Sequence, residues 1–540
     1  MKEKIKKVYN LSDDNSQIIR ESLSFVETEL QKVKRIKRHV PRALLLTEEL
    51  LVSITEAAPN EGELRVSVRR ANWDVYIKIS APGEEIDFDI SEDGTSEAGI
   101  RSILLDAFSD KLSIAHKKGY NSARMLVGVK SQRFAWKTTL ATLLGILVFL
   151  VFSVAFPADA FNAMRTNFFD PLSNLLINLL NLFLLPVVFL SIISAASKIT
   201  SANELNNGIG SKALRASAAS SVVATLIGIF AYSVFHEVYN SISLFHLGGV
   251  SVGEVKIWDI ILGLVPSNIF SPFLENNTLQ VIAMAVIIGV CINSVGERSS
   301  LFLQATDTLF ELVKKIVEAI EKLIPFGIFC TSFSVCCEYG VSVFGYILPA
   351  IACMLVAFVA MFVFYMLILK LKTGLAPMRF IKKALPFMQD LLLHGSGVDA
   401  LPDSMRFCRA KLGISPKVYN VSLPFGAQFN MDGSCIYMAV FGLYLAQICE
   451  ISLYGSNILA MVFSIVILSM GAPNFTCGNI ICLFTLLSSI GLPFRALGVI
   501  LCFDPLVFLL IAVLNTIGDT IISLIIAYKK GLLNEDIYYR

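Results

Sequence analysis

The sequence predicts an all-α polytopic membrane protein with two re-entrant hairpins and a small α+β domain at its N-terminus. Three observations predict it. From about residue 135 onward, the apolar segments are too long and too numerous for a soluble core, in a chain of 540 residues that is 55% hydrophobic with a mean hydropathy of +0.67. The first 130 residues are polar and carry short amphipathic pieces instead. Two of the later apolar segments are interrupted by polar runs, NMDGS and NTIGD. The formal charge of +2 and the lack of a basic, aromatic-interleaved run set nucleic acid aside as a partner. The 11 cysteines lie between Cys291 and Cys502, within or beside apolar segments and without paired CxxC spacing, which predicts reduced packing residues rather than a disulfide framework or a metal site. No secretory signal is expected, because MKEKIKKVYNLSDDNSQ has no apolar run behind it.

In chain order, Ser12 to Lys34 and Pro41 to Ala58 have helical spacing, with Leu44, Leu45, Leu50, Leu51 and Ile54 on one side of the second. Leu64–Val68 and Val75–Ile79 alternate apolar and polar residues around Arg69–Asp74, which predicts a hairpin. Gly99 to His116 reads as a further amphipathic helix. The expected boundaries are a cytoplasmic domain at 1–130, a membrane domain at 131–530 and a cytoplasmic tail at 531–540.

Lys130, Arg133 and Lys137 precede a first span at Thr138–Phe156, so the positive-inside bias predicts a cytoplasmic N-terminus in the plasma (inner) membrane. Spans follow at Phe168–Ala196 and Ala216–Phe235, then a polar loop whose His236 and His246 are too dispersed for a metal site. Ile260–Leu264 and Leu279–Val295 flank PSNIFSPFLENNT as a broken helix. Leu301–Val335 is one mixed helix with a charged first half, and Tyr346–Leu369 is a clean span. About eight spans are expected in all. LLLHGSGVDALP (391–402) and SIVILSMGAPNFTCGNIICLFTLLSSIGL (464–492) turn at Gly395–Gly397 and Gly471–Gly478, and their halves are too short to cross a hydrocarbon core of about 30 Å. Each precedes a long helix with a polar break, Val418–Gln447 and Leu497–Tyr528. A hairpin plus a helix, occurring twice, is the signature of inverted repeats around a midplane site.

Asn430, Asp432 and Ser434 lie in the first break. A carboxylate at bilayer depth costs about 2.5–3.5 kcal/mol on insertion scales, so such residues usually mark an ion or substrate path. Broken helices free backbone carbonyls that ligate a cation where they line a protein cavity. The alternative is a polar patch that only holds two helices together.

LFLLPVVFLSIISAAS, IILGLVPSNIFSPFLENNTLQVIAMAVIIGV, LPDSMRFCRAKLGIS, LPFGAQFNMDGSCIYMAVF, SSIGLP and LNTIGDTIIS, in this order between about 135 and 530, resemble the dicarboxylate/amino acid:cation symporter family. The resemblance implies a homotrimer, an elevator motion, a small-molecule substrate, sodium (Na+) as coupling ion, and no catalytic residues. It implies one sodium site from Asn515 and Asp519 with carbonyls of Gly426 and Asn430. A second would use Asp432 and Asn430 with a hydroxyl of Ser220 or Ser221, and a third the carbonyls of Gln428, Ser469, Met470 and Ala472. Substrate-lining positions would be Ser396, Gly397, Asp399, Ser434, Asn474, Phe475, Phe508, Ile511 and Asn515. Where members that carry acidic amino acids have an aspartate and an arginine, seven and four residues before the asparagine, this chain has Phe508 and Ile511, and Ala512 stands at the threonine position. A second substrate carboxylate would be buried unpaired there, at a cost of several kcal/mol, so a neutral amino acid or monocarboxylate is expected over a diacid. Asp399 either replaces the missing amino-group partner or is a solvated tip residue.

The N-terminal pieces TEELLVSITEAAP, YIKISAPGEEIDF and KGYNSARML resemble the ATP-binding domain of histidine kinases and anti-sigma-factor kinases. Ser53 stands at the magnesium-binding asparagine, Ala81-Pro82-Gly83 replaces the Asp-x-Gly motif, and the lid is reduced to Gly119. The resemblance therefore implies a degenerate domain open to a regulatory ligand or protein, or a plain assembly domain, and a ligand sensor is the alternative to a transporter.

Overall fold

The computed structural model describes residues 2–11, 15–33, 40–56, 62–71, 74–83, 112–117, 119–127, 131–205, 208–239, 262–275, 277–292, 299–394, 400–448, 455–470, 478–489 and 497–540, with 58, 258 and 295. They divide into two compact units: 1–130 with 401–406, and 131–400 with 407–540.

In the first unit five strands, β1 (Lys2–Leu11), β2 (Gly62–Ala71), β3 (Asp74–Pro82), β4 (Leu112–Lys117) and β5 (Tyr120–Val127), form a sheet in the order β1-β2-β3-β5-β4, with every neighbour antiparallel. Helices α1 (Asn15–Gln31) and α2 (Val40–Glu56) supply Val26, Leu30, Leu46, Leu50, Leu51 and Ile54 to a core with Leu64, Val66, Val68, Ile77, Ile79 and Met125. Alternate strand residues point into that core, as the period of two requires. The expected hairpin is β2–β3, Val68 opposite Ile77. The helix expected over Gly99–His116 is corrected at its end: Leu112–Lys117 is a strand, Leu112 and Ile114 opposite Met125 and Ala123, while 99–111 lies outside the described residues. Sequence reasoning missed β1, because the charged N-terminal run was weighed only as a secretory signal. Lysines on an edge strand are a recognised guard against edge-to-edge pairing.

In the second unit five helices are long and apolar enough to cross a membrane among the described residues, six if one bent pair counts as a span, against the eight expected. From Ser131 onward the α-helices of more than four residues are α3 (Ser131–Ala155), α4 (Ala158–Met164), α5 (Asp170–Leu205), α6 (Ile209–Tyr239), α7 (Thr278–Cys291), α8 (Ser299–Glu321), α9 (Ile324–Tyr339) and α10 (Leu348–Thr373), then α11 (Pro377–His394), α12 (Leu401–Phe407, grouped with the first unit up to Arg406), α13 (Pro416–Phe429), α14 (Asp432–Ile448), α15 (Gly455–Met470), α16 (Gly478–Ser489), α17 (Leu497–Lys529) and α18 (Glu535–Tyr539). Leu301–Val335 is not one helix. It bends by 49° between α8 and α9, where Pro325 sits in the first turn of α9 and cannot donate to the preceding turn. The apolar window of Trp136–Ala155 is 17% buried, leaving Leu140, Leu143, Leu147, Val151 and Val154 exposed. The corresponding window of Pro416–Ile448 is 94% buried, so the polar break sits at the centre of the protein.

Helices α15 and α16, 16 and 12 residues long, rise about 24 and 18 Å, short of a bilayer core. The tips that join α11 to α12 and α15 to α16 lie outside the described residues. NMDGS does break a helix, at Asn430–Met431. NTIGD does not: α17 runs unbroken from Leu497 to Lys529, with Asn515 reaching across to Gly433 and Thr516 bonding back to the Ala512 carbonyl of its own helix. The last ten residues are packed rather than trailing. Tyr538 is fully buried, and the Lys383 ammonium donates to the carbonyls of Lys411, Ile537 and Tyr538 at 2.7, 2.7 and 2.8 Å.

Candidate functional site

The break between α13 and α14 organises the site. Asp432 opens α14, where the positive end of the helix dipole favours a carboxylate. It is fully buried and accepts hydroxyl hydrogen bonds from Ser220, from Ser221 at 3.4 Å and from Tyr365 at 2.5 Å. Both expected serines of α6 thus converge on the expected carboxylate. Tyr365 of α10 was missed, although a lone hydroxyl in an apolar span was the available signal.

On α17, Asn515 and Asp519 are one turn apart and face the break. The Asn515 side-chain oxygen accepts the Gly433 N–H at 2.7 Å, capping one of the donors that the first turn of α14 leaves without a helical partner. Its amide nitrogen has only the sulfur of Met431, at 3.2 Å. Asp519 is buried, and its Oδ1 makes no hydrogen bond of ordinary geometry. Both polar atoms of the Asn430 amide are likewise buried without one. Leaving such groups unmet costs about 1–3 kcal/mol each, more for a charge.

Two glycines let these groups approach. A Cβ on Gly426 would lie 2.4 Å from Asp519 Oδ1, and one on Gly518 would lie 2.5 Å from the Tyr365 hydroxyl and 2.7 Å from Asn430 Nδ2. The Gly426 carbonyl accepts the Asn430 N–H at 2.8 Å and keeps one lone pair. Two buried carboxylates, an orphaned amide oxygen and glycine-exposed backbone form an oxygen-rich cradle, and neither carboxylate is paired with a basic side chain among the described residues. That donor set fits a hard cation. No cluster of three His, Cys, Asp or Glu suited to a transition metal occurs among the described residues.

The remaining expected residues divide. Gly426, Asn430, Asp432, Ser220, Ser221, Asn515 and Asp519 belong to this cradle, and Ser434 is buried in the first turn of α14. Phe508, Ile511 and Ala512 are buried on α17, and Gly433 packs on Ile511, its Cβ position 3.0 Å from the Ile511 carbonyl. Gln428 is exposed, Met470 is half-buried, and the Ser469 hydroxyl bonds back to the Val466 carbonyl at 2.8 Å. Ser396, Gly397, Asp399, Ala472, Asn474 and Phe475 lie outside the described residues.

Asp504 was missed. It lies on α17 one turn before Phe508, fully buried; its Oδ1 accepts the Tyr437 hydroxyl at 3.0 Å and its Oδ2 has no partner. The signal was the same as for Asp432, an acid in an apolar run (LCFDPLVF).

Comparison with known proteins agrees with this architecture. The chain is 26% identical over 381 residues to a C4-dicarboxylate transport protein of Rhodospirillum rubrum, covering 68% of this chain and 83% of that protein. It is 25% identical over 411 residues to a C4-dicarboxylate transport protein of Bacillus subtilis, covering 73% and 93%. It is also 25% identical over 451 residues to the L-cystine uptake protein TcyP of Bacillus cereus, covering 78% and 96%. A model of the sodium:dicarboxylate symporter family matches residues 134–529. The chain belongs to the sodium:dicarboxylate symporter family.

Proposed function

We propose that the protein is a sodium-coupled symporter of a small organic solute, working by an elevator motion of the unit built around α13, α14 and α17. The observation that carries this reading is the cradle at Asn430, Asp432, Asn515 and Asp519, where a desolvated cation would meet the Asn430 and Asp519 oxygens that make no hydrogen bond of ordinary geometry. A sodium ion there neutralises a buried carboxylate, and the two helix ends at Asn430–Met431 supply partial charge of both signs. Asn515 holds a substrate carboxylate in exchange for its weak contact with Met431. A homotrimer, a cytoplasmic N-terminus, the boundaries at residues 130 and 530, and the third sodium site at Gln428, Ser469, Met470 and Ala472 belong to the same proposal.

The relatives' names pull the substrate toward C4-dicarboxylates or cystine. Phe508 and Ile511 pull it toward a solute with one carboxylate, since the part of α17 from Asp504 to Asp519 carries no basic side chain for a second. We weigh the residues above the names and propose a neutral amino acid or monocarboxylate. Asp399 as amino-group partner remains part of that proposal.

A second reading, a ligand sensor signalling through the N-terminal unit as a degenerate ATPase-like domain, is favoured by those same replacements and by the attached sheet-and-helix unit. Ser53 bonds back to the Glu49 carbonyl at 2.9 Å, and Ala81 is fully buried. Neither offers the metal or adenine contact that the kinase-like domains use.

The test is a thermal-shift screen of purified protein against amino acids, monocarboxylates and dicarboxylates in sodium and in potassium. Ligands that bind only the folded state raise its stability as RT ln(1 + [L]/Kd). A sodium-dependent organic hit, followed by sodium-driven uptake in vesicles, supports the symporter. An organic hit without uptake supports the sensor, and no response to sodium overturns the cation site.

A further inference from the structure

The sheet of the N-terminal unit has one face under α1 and α2 and one face that neither helix covers. Alternation and register assign that open face. Tyr9, Leu64, Val66, Ile77 and Met125 point into the core, so Lys6, Arg65, Arg69, Lys78 and Arg124 stand on the other side, and all five are exposed. Lys6 pairs in register with Ser67, Ser67 with Lys78, and Lys78 with Arg124, which lines three cations across four strands. Arg69 and Arg65 flank that row on β2. The acids on this face are Glu63, engaged by Arg65 at 3.0 Å, and Asp74, which the register places at the first position of β3. Among the described side chains of α1 and α2, Glu21, Glu27, Glu48 and Glu56 are exposed against Arg20 and Lys32.

Folding does not account for this arrangement. Like charges directly opposite on neighbouring strands destabilise a sheet, and Lys78 faces Arg124 in that way. The Arg124 guanidinium is offset in part by stacking over Tyr76, 4.2 Å from the ring centroid.

We propose that this face is a docking surface for anionic lipid headgroups of the bilayer that the chain itself spans. The cations form a broad array on one sheet face, with strands about 4.8 Å apart and same-face positions about 7 Å apart along them. Such an array matches a plane of phosphates better than a groove that follows a single polyanion. Residues 128–130 separate β5 from α3, which begins at Ser131, a reach of at most about 11 Å, so the face works at high effective concentration against a membrane. Each Lys or Arg near an anionic surface adds about fivefold to occupancy. The sequence hides the patch because its members are spread from Lys6 to Arg124.

The experiment uses the full chain in lipid nanodiscs of phosphatidylcholine alone or with phosphatidylglycerol. Lysines are acetylated with a water-soluble reagent and read by mass spectrometry. Labelling of Lys6 and Lys78 is expected to fall about threefold or more in the anionic discs. It should return at about 0.5 M salt, where the Debye length is about 4 Å, while Lys32 on the helical side stays constant. The triple variant Arg65→Glu, Arg69→Glu, Arg124→Glu, all at exposed positions, should abolish the protection of Lys6 with the circular dichroism spectrum unchanged. Equal labelling in both lipids overturns the proposal. So does protection that appears only when an RNA or an acidic protein is added, which would assign the face to that partner.

Discussion

Gly426→Ala separates a cation ligand from a helix-capping residue at the break. The added Cβ would stand 2.4 Å from Asp519 Oδ1 and 2.6 Å from its Cγ, where ordinary contact begins at 3.4 Å, so the carboxylate must retreat by about 1 Å. A sodium–oxygen contact is about 2.4 Å, as for calcium of similar size. Lengthening it to about 3.4 Å at an effective dielectric of about 20 loses about 2 kcal/mol, or about thirtyfold in affinity. Overpacking alone costs the fold about 1–3 kcal/mol. The assay is a sodium titration of the unfolding midpoint in a choline background, with Gly345→Ala, which has nothing within 4 Å of its Cβ position, as control. The expected result is a sodium Kd about thirtyfold weaker in Gly426→Ala and unchanged in Gly345→Ala. A folded Gly426→Ala protein with unaltered sodium affinity would refute Asp519 as a ligand and leave the polar break as a structural patch.

Three further variants probe the same core. Asp432→Asn keeps an acceptor for one hydroxyl but turns an amide toward the donors Ser220 and Tyr365. It should abolish sodium-driven uptake with the protein still monodisperse, and unchanged uptake removes that carboxylate from the site. Phe508→Asp with Ile511→Arg should gain affinity for acidic amino acids by about tenfold or more, because it pairs a buried second carboxylate. A folded double variant with no gain means that α17 presents another face to the substrate. Asp504→Asn keeps the acceptor for Tyr437 and removes an unpaired buried charge, so the midpoint should hold or rise. A fall of several degrees would reveal a cation bound at Asp504.

Much of this was legible because membrane burial makes polar residues conspicuous. Asn430, Asp432, Asn515 and Asp519 stood out as polar atoms in apolar runs, and all four are buried around one break. The same rule missed Asp504 and Tyr365, which stand alone in their segments, while the motifs drew the reading toward clusters. The break itself was legible at NMDGS, where Asn430 leaves the helical region at φ −101° and ψ 73°. It was misread at NTIGD, because Gly518 weakens a helix in isolation but here serves as a gap beneath Tyr365 and Asn430. In the N-terminal unit, α1, α2 and the β2–β3 hairpin followed from periodicity. β1 did not, because an edge strand needs one apolar face, and Ile5, Tyr9 and Leu11 supply it among lysines. The basic face is a property of strand order, which no local window contains.

The cap at Asn515 and the cation cradle need not compete as explanations, because one break produces both. Ending α13 at Phe429 leaves its last carbonyls without helical partners, and starting α14 at Asp432 leaves its first N–H groups in the same state. The carbonyl end attracts a cation and the N–H end an anion, a few ångströms apart. Asn515 already answers one N–H, at Gly433, and Asp432 sits where the helix favours its charge. Asp519 and Asn430 are left with buried atoms unmet, on the side of the carbonyls. A cation bound there lowers the cost of burying a substrate carboxylate near the first turn of α14, and the substrate lowers the cost of burying the cation. Linkage makes that benefit reciprocal, so sodium should tighten substrate and substrate should tighten sodium by the same factor. A factor of one in paired titrations, with neither ligand tightening the other, would mean that the two ligands do not share this break.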